Sequence, residues 1–217
     1  MSKLELDSVQ KTYDGQKILN DVYLQCSTGE VVGLLGRNGS GKSTLLKIMF
    51  GSLTANSRFL RIDEKVYTGS KTIRDIKKYL PQDSFLIKSI SVKSTINLFL
   101  SGEYSRIVLE LPIVKPLLRE RVGHLSFGQR RTLEVLLLLF SESRFLLLDE
   151  PFNGLSPTSR EVISKLIQER KEHKGIIITD HDYRNVISLS DRIMLMEYGN
   201  LRKIEDLDGL TSYGYLT

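Results

Sequence analysis

The stretch "GRNGSGKST", from Gly36 to Thr44, constrains this chain more than any other. It follows the short apolar run "VVGLL", which is typical of a buried strand. It leads into "KSTLLKIMFG", whose apolar spacing predicts a helix that ends at Gly51. A glycine-rich turn between a buried strand and a helix brings backbone amides and the positive end of the helix to one point. The spacing therefore predicts a loop that wraps phosphate groups.

Within this loop each residue type has a predicted task. The glycines allow sharp turns that present amide N–H groups to phosphate oxygens. Lys42 supplies a positive charge to the outer phosphates, and Ser43 offers its hydroxyl to a bound Mg²⁺. The residues that we expect to contact the phosphates are Gly36, Arg37, Asn38, Gly39, Ser40, Gly41, Lys42, Ser43 and Thr44.

A pair of acidic residues ends a second apolar run, "FLLLDE". Asp149 is expected to hold Mg²⁺ through water, and Glu150 to accept a proton from an attacking water molecule. A solvated acidic turn is the alternative interpretation of such a pair. Beside a phosphate loop, we favour a site that hydrolyses a nucleotide.

Elsewhere, strand and helix patterns alternate along the chain. Asp14-Gly15 is a turn signal between two exposed or edge strands, and residues 58–68 form a further predicted strand pair. "GIIITD" has the buried-strand pattern, and "DRIMLMEYG" is predicted to be the last strand before a polar tail. A helix is predicted between the second and third buried strands, with Ser156 as its cap and Pro157 at its first position.

These patterns predict an α/β fold with a mostly parallel core sheet and helices packed on it. The N-terminal strands add a small antiparallel β subdomain. Residues 83–141 have helical periodicity with few turns and are expected to form an inserted helical subdomain. We expect residues 1–217 to make up a single domain of this kind, with a phosphate-loop nucleotide-hydrolase core.

Bulk properties exclude several classes of function. The net charge of +5 comes from interspersed acidic and basic residues, so we expect no nucleic-acid partner. The single cysteine, Cys26, allows no internal disulfide. The longest apolar run, at 135–140, is far shorter than the about 20 residues that cross a bilayer. These features predict a cytoplasmic location.

The stretch "HLSFGQRR" decides which kind of nucleotide-binding protein this sequence resembles. Leu125-Ser126-Phe127-Gly128-Gln129 is similar to the LSGGQ signature of the ATP-binding cassette (ABC) family, with Phe127 as the departure. Gln82 in "YLPQD" resembles the family's Q-loop, and His181 in "TDHD" resembles its switch histidine. Tyr13 resembles the aromatic residue that stacks on adenine. The resemblance extends from about Leu4 to Leu201.

The resemblance implies an ATPase that works with ATP and Mg²⁺. Its implied catalytic residues are Glu150, His181, Gln82 and Lys42, and its implied metal site consists of Ser43, Gln82 and Asp149. Tyr13, Ser126, Gly128 and Gln129 join the phosphate loop as nucleotide-contacting residues. In the family, the signature completes the site of a second subunit. Two cassettes therefore enclose two ATP molecules head to tail.

The resemblance also implies partners. We expect a second copy of the chain or a paralogous ATPase, and a transmembrane permease subunit that docks on the helical insert near "FLIKSI" and "INLFL". The chain would then lie peripherally on the inner face of the cell membrane. One departure concerns coupling within such a dimer, because Ser156 stands where the family usually has an aspartate.

Two other functions remain open at this point. A soluble ABC ATPase of translation or DNA maintenance has the same motifs, although such proteins usually have a second cassette or a long coiled coil. A regulatory module that binds ATP without cleaving it is the other, and the presence of Glu150 and His181 disfavours it.

Overall fold

The computed structural model describes residues 1–67 and 77–205. Its strands are β1 (Lys3–Tyr13), β2 (Gln16–Ser27), β3 (Val31–Leu35), β4 (Ser57–Ile62), β5 (Lys65–Val66), β6 (Lys77–Leu80), β7 (Phe145–Asp149), β8 (Gly175–Thr179), β9 (Arg192–Glu197) and β10 (Asn200–Ile204). Its helices are α1 (Lys42–Phe50), α2 (Val92–Phe99), α3 (Gly102–Glu110), α4 (Phe127–Leu139), α5 (Pro157–Arg170) and α6 (Tyr183–Leu189).

The central sheet has the strand order β10-β9-β3-β8-β7-β6. β9, β3, β8, β7 and β6 run parallel, and β10 is antiparallel to β9. The carboxyl ends of the parallel strands therefore meet at one edge of the sheet. The phosphate loop, the acid pair, Gln82 and His181 each follow one of these strands at that edge. The predicted mostly parallel sheet is confirmed.

Both faces of the central sheet are covered, which explains its continuously apolar strands. In β3, Val32 and Leu34 point to a core shared with α1 and the antiparallel sheet. Val31 and Leu35 point to the opposite core, which α2, α3, α4, α5 and α6 cover. Every residue of β3, β7 and β8 is buried.

The antiparallel sheet has the order β2-β1-β4-β5 and confirms both the predicted hairpin and the predicted strand pair. At the hairpin, Asp14 and Gly15 adopt left-handed backbone conformations with φ of 47° and 82°. Of the two strands expected to be exposed or at an edge, β2 lies at the edge, whereas β1 lies between β2 and β4 and is only partly exposed. Residue 68, the last of the predicted pair, lies outside the described residues.

The predicted end of α1 and the predicted start of α5 are confirmed, and a serine also caps α4. Gly51 follows α1, and its N–H donates to the carbonyl oxygens of Lys47 and Ile48. Ser126 caps α4, and Ser156 caps α5 by accepting a hydrogen bond from the N–H of Ser159 at 3.2 Å. The serine that departs from the family pattern therefore keeps the start of α5 intact.

Three elements were missed by the sequence analysis. β10 follows β9 directly, so the prediction that "DRIMLMEYG" is the last strand was wrong. β6 was overlooked because "KKYL" begins with two lysines, and α6 because it is only seven residues long. The stretch 83–141 also contains more turns than predicted, since 3₁₀ turns and irregular segments separate α2, α3 and α4.

The helices within 1–67 and 77–205 include none that combines the length and the apolar character of a membrane span.

A buried lysine fixes the segment that leads into β7. Lys174 is 3% exposed, and its Nζ donates to the carbonyl oxygens of Ser141 and Ser143, both at 2.5 Å. Burial lowers the pKa of Lys174 to about 8. The unfolded chain keeps the ordinary lysine pKa, so it holds a proton between pH 8 and 10.5 that the folded chain has lost. The stability contribution of Lys174 therefore rises with pH across this window and falls as pH drops through 8.

Lys174→Met leaves both carbonyl oxygens without a donor, so we expect the free energy of unfolding to fall by about 1–3 kcal/mol. The deficit relative to the unaltered chain should widen between pH 7.5 and pH 10. Urea unfolding at both pH values measures it. Lys165→Met is the matched control, because that side chain is 79% exposed. Equal stability of the two variants would contradict this assignment.

Candidate nucleotide site

An open cavity of about 460 Å³ lies at the carboxyl edge of the central sheet. Its lining residues are Tyr13, Ile18, Asn38, Gly39, Ser40, Gly41, Lys42, Ser43, Thr44, Gln82, Glu150 and His181. All of these except Ile18 were predicted from the sequence. Residues 140 positions apart in the chain thus meet in one cleft, because the parallel strands end at the same edge.

The phosphate loop is built by backbone conformations that glycine permits. Gly39 and Gly41 have φ of 78° and 108°, in the left-handed region. Gly41 is the N-cap of α1, so the positive end of that helix faces the cavity. The hydroxyl oxygen of Ser40 is buried and has no hydrogen-bond partner among the described residues. Such a loop, with an unsatisfied polar atom inside it, suits the oxygens of a phosphate chain.

Lys42 lies across this loop. Its Nζ donates to the carbonyl oxygens of Gly36 at 2.5 Å and Arg37 at 3.1 Å. Burial lowers the pKa of Lys42, and the neighbouring carboxylates of Asp149 and Glu150 oppose that shift. A cation held at the phosphate loop in this way can bind the outer phosphates of a nucleotide.

Asp149 is completely buried beneath the cavity. Its Oδ1 accepts a hydrogen bond from the Ser43 hydroxyl at 3.1 Å, and its Oδ2 accepts one from the Tyr79 hydroxyl at 2.9 Å. A hydroxyl and a carboxylate side by side form a hard oxygen donor set that fits Mg²⁺. Among the described residues, no group of three or more His, Cys, Asp or Glu side chains is placed to hold a metal ion.

Glu150 faces the cavity in a strained backbone conformation, with φ of 53°. It is 8% exposed. Its Oε1 accepts a hydrogen bond from Gln82 Nε2 at 3.1 Å and lies 2.9 Å from His181 Nε2. The amide and the imidazole, which follow β6 and β8, thus hold one carboxylate oxygen from two sides. This arrangement can orient a proton acceptor beside the phosphate loop.

The guanidinium of Arg131 connects α4 to the same edge of the sheet. It is 3% exposed and donates to the carbonyl oxygens of Pro81 at 2.6 Å and of Glu150 at 3.1 Å. It also donates to the carbonyl oxygen of Asp149, and it lies 3.3 Å from the carboxylate of Glu134. One side chain thereby ties α4 to the backbone that carries Gln82, Asp149 and Glu150.

The signature residues lie outside the cavity. Ser126 and Gln129 form a capping box at the start of α4, in which the Ser126 side chain bonds the Gln129 N–H at 3.2 Å. Gly128 packs so closely that a Cβ there would overlap the carbonyl oxygen of Gly154. The ring of Phe127 lies over Gly154 and remains 54% exposed. The start of α4 is therefore not part of the cavity that contains the chain's own phosphate loop.

Most of the predicted site residues come together, and the exceptions are informative. Gly36 packs against Met196, Arg37 lines a neighbouring cavity, and Asp149 lies beneath the site. Sequence reasoning missed Tyr79 and Arg131. Both stand inside stretches that carry predicted residues, "YLPQD" and "HLSFGQRR", but their contacts depend on tertiary structure.

Comparisons with known proteins agree with this geometry. The sequence model of the ABC transporter family matches residues 19–153. The lipopolysaccharide export system ATP-binding protein LptB of Acidithiobacillus ferridurans is 32% identical over 213 residues, which cover 91% of this chain and 88% of that protein. LptB of Escherichia coli strain K12 is 31% identical, with coverage of 93% and 89%. This chain belongs to the ABC transporter family.

Solved structures of ABC cassettes have the same fold. The ATP-binding subunit of an ABC transporter superposes with a TM-score of 0.84 at 25% identity and covers 98% of this chain and 93% of its own. A bacterial ABC transporter cassette solved as a dimer superposes with a TM-score of 0.79 at 25% identity, with coverage of 94% and 100%. The predicted phosphate-loop hydrolase fold is therefore confirmed.

The family also decides among the functions left open above. The chain is an ATP-binding and ATP-hydrolysing subunit of an ABC transporter, and such subunits work with transmembrane partners. The translation and DNA-maintenance alternative is set aside, since the relatives are transport proteins.

Arg131→Lys retains a charge beside Glu134, but one ammonium nitrogen replaces the separate guanidinium nitrogens that donate to the Pro81, Asp149 and Glu150 carbonyl oxygens. We expect the free energy of unfolding to fall by about 1–3 kcal/mol and ATP turnover to decline with it. Denaturant unfolding and phosphate release measure the two effects. Arg130→Lys is the control, since Arg130 donates only to the Leu125 carbonyl oxygen among the described residues. Indistinguishable behaviour of the two variants would contradict the role of Arg131.

Proposed function

We propose that this cassette hydrolyses ATP with Mg²⁺ in a pocket completed by a second cassette. The observation that carries the proposal is that the predicted nucleotide-contacting residues of one chain lie in two separate places. The phosphate loop, Gln82, Glu150 and His181 line one cavity, whereas Ser126, Gly128 and Gln129 lie outside it on the end of α4. A chain with this geometry supplies two different surfaces to two different pockets.

Within one cavity, the residues divide the chemistry. Ser43 and Asp149 would hold Mg²⁺, which neutralises charge on the phosphates when it is bound, and Gln82 reaches the same region. Lys42 and the amides of the loop bind the phosphate oxygens. Glu150 accepts the proton of the attacking water, and Gln82 and His181 keep its carboxylate in position. Tyr13, which is 43% exposed at the cavity edge, offers its ring to the adenine base.

The second cassette would contribute its signature. α4 has 13 residues, and its capped N-terminus is exposed at Ser126 and Phe127. A helix N-terminus whose serine oxygen accepts the Gln129 N–H, and whose O–H can still donate, suits the γ-phosphate of a nucleotide bound by the other chain. A two-fold arrangement then gives two equivalent pockets, each with one phosphate loop and one signature. The partner is a second copy or a paralogous cassette.

A groove on the helical side fits the transmembrane partner. It has a volume of about 340 Å³, and its apolar lining includes Phe99, Leu100, Tyr104 and Phe140. Leu98 beside it is 63% exposed and Ile87 is 49% exposed, as expected for a surface that another protein covers. We assign this groove to a helix of a permease subunit. The chain would then lie peripherally on the inner face of the cell membrane.

Glu150→Gln retains the shape of the side chain but cannot accept the proton. We expect ATP and Mg²⁺ to bind, turnover to fall at least about a hundredfold, and a stable dimer to accumulate. Light scattering coupled to size exclusion, with and without ATP, measures the dimer, and phosphate release measures turnover.

The control is Glu161→Gln, an exposed carboxylate on α5. It should behave like the unaltered chain in both assays. A Glu150→Gln variant that retains near-normal turnover would remove Glu150 from the base role. A variant that is inactive, saturated with ATP and still monomeric, alone and with the permease, would argue against the two-chain pocket.

A further inference from the structure

The strand before Gln82 places a tyrosine against the predicted metal-holding carboxylate. Tyr79 lies on β6, where it is opposite Leu147 of the neighbouring strand β7. Its hydroxyl donates to Asp149 Oδ2 at 2.9 Å. The other carboxylate oxygen, Oδ1, receives the Ser43 hydroxyl at 3.1 Å. Each oxygen of a fully buried carboxylate therefore has a different hydroxyl partner.

The tyrosine is fixed at both ends. Its backbone belongs to the parallel pairing of β6 with β7, and its ring packs on Phe50 with the ring centroids 5.6 Å apart. The phenol is the donor in the contact with Asp149, because an ionised carboxylate has no hydrogen to give. It can therefore only donate to the carboxylate, and it has little freedom to turn away.

The two hydroxyls differ in what they can reach. Ser43 belongs to the phosphate loop and lines the cavity, so its hydroxyl can exchange Asp149 for a metal ion. Tyr79 is not among the residues that line the cavity. Its hydrogen bond can therefore persist while the Ser43 side of the carboxylate binds a metal. An outer partner of this kind fixes the direction of a carboxylate and affects its affinity for metal.

We propose that Tyr79 is a positioning residue for the Mg²⁺ site, and that its hydroxyl holds Asp149 with Oδ1 directed toward Ser43 and the phosphates. This inference rests on the proposed function, in which Ser43 and Asp149 hold the metal. Tyr79 itself does not contact the nucleotide or the metal. Without its hydroxyl, the carboxylate can rotate, and one buried oxygen loses its donor.

Tyr79→Phe tests this, because it removes the hydroxyl and retains the ring that packs on Phe50. Metal binding is measured with Mn²⁺ by electron paramagnetic resonance, in the presence of ATP and in a Glu150→Gln background that prevents turnover. We expect the Mn²⁺ affinity to fall roughly tenfold. ATP binding measured in EDTA should be unchanged, and in the hydrolysing chain the half-saturating Mg²⁺ concentration should rise by a similar factor.

Two controls separate a positioning role from a merely structural one. Tyr23→Phe removes a hydroxyl that bonds Glu5 and Gln25 on the antiparallel sheet, and it should leave every readout unchanged. In an Asp149→Asn background, Tyr79→Phe should have no further effect on Mn²⁺ affinity, because it acts through that carboxylate. Thermal unfolding without ligand shows that the measured chains are folded.

The outcomes distinguish this inference from the proposed function. If Asp149→Asn weakens Mn²⁺ binding and Tyr79→Phe does not, the role of Tyr79 is overturned and the metal site stands. If Asp149→Asn leaves Mn²⁺ binding unchanged, the metal site itself is wrong. If Tyr79→Phe lowers ATP binding in EDTA as much as it lowers Mn²⁺ affinity, its effect is structural and the inference is overturned.

Discussion

The guanidinium of Arg131 is the contact on which the rest of this site depends. It lies between α4 and the carboxyl ends of β6 and β7, and it binds the backbone that precedes Gln82 and the backbone of the acid pair. The same helix begins at Ser126, which is not among the residues that line the cavity. The predicted hydrolytic residues and the signature end of α4 are therefore connected through one buried side chain.

The contact of Arg131 with the backbone is buried, and its hydrogen bonds compensate for that burial. Arg131 and Glu134 are 3% and 2% exposed, and removing two charges from water is costly unless further hydrogen bonds compensate. The three backbone carbonyls supply those bonds for the guanidinium. Glu150 is held in a strained conformation beside them, and its N–H is bonded to the Thr179 carbonyl oxygen at 2.8 Å. Neighbouring elements therefore hold the predicted base in its position, instead of leaving it on a mobile loop.

The sequence was sufficient to predict those features that depend on residues close together in the chain. The phosphate loop, its flanking strand and helix, and the cap at Ser156 depend on residues within a few positions of one another. The acid pair could be placed because a buried strand ends at a known edge of a parallel sheet. β6 and β10 were missed because both are short and partly exposed, with lysines in their sequences. Their pairing with buried strands overrides that local pattern.

The sequence analysis did not predict the contacts of Tyr79 and Arg131, and the reason is different. Tyr79 meets Asp149 across 70 positions of chain, and only the register of β6 with β7 places them side by side. An arginine on a helix is usually exposed, so the residue type gives no sign that Arg131 is buried. Its burial depends on how α4 crosses the sheet, which periodicity does not specify. The register of β6 with β7 and the placement of α4 thus determine the contacts of Tyr79 and Arg131.

The central claim is that each pocket consists of the phosphate loop of one chain and the signature of another. A crosslinking experiment with two different variants tests it directly. One chain carries Asn38→Cys in the phosphate loop and the other carries Phe127→Cys at the signature, both with Glu150→Gln. The native Cys26 is completely buried and should not react. A short bis-maleimide should produce a covalent dimer that contains both chains, and only when ATP is present. A dimer that forms equally without ATP, or a chain carrying both cysteines that crosslinks only within itself, would contradict the account.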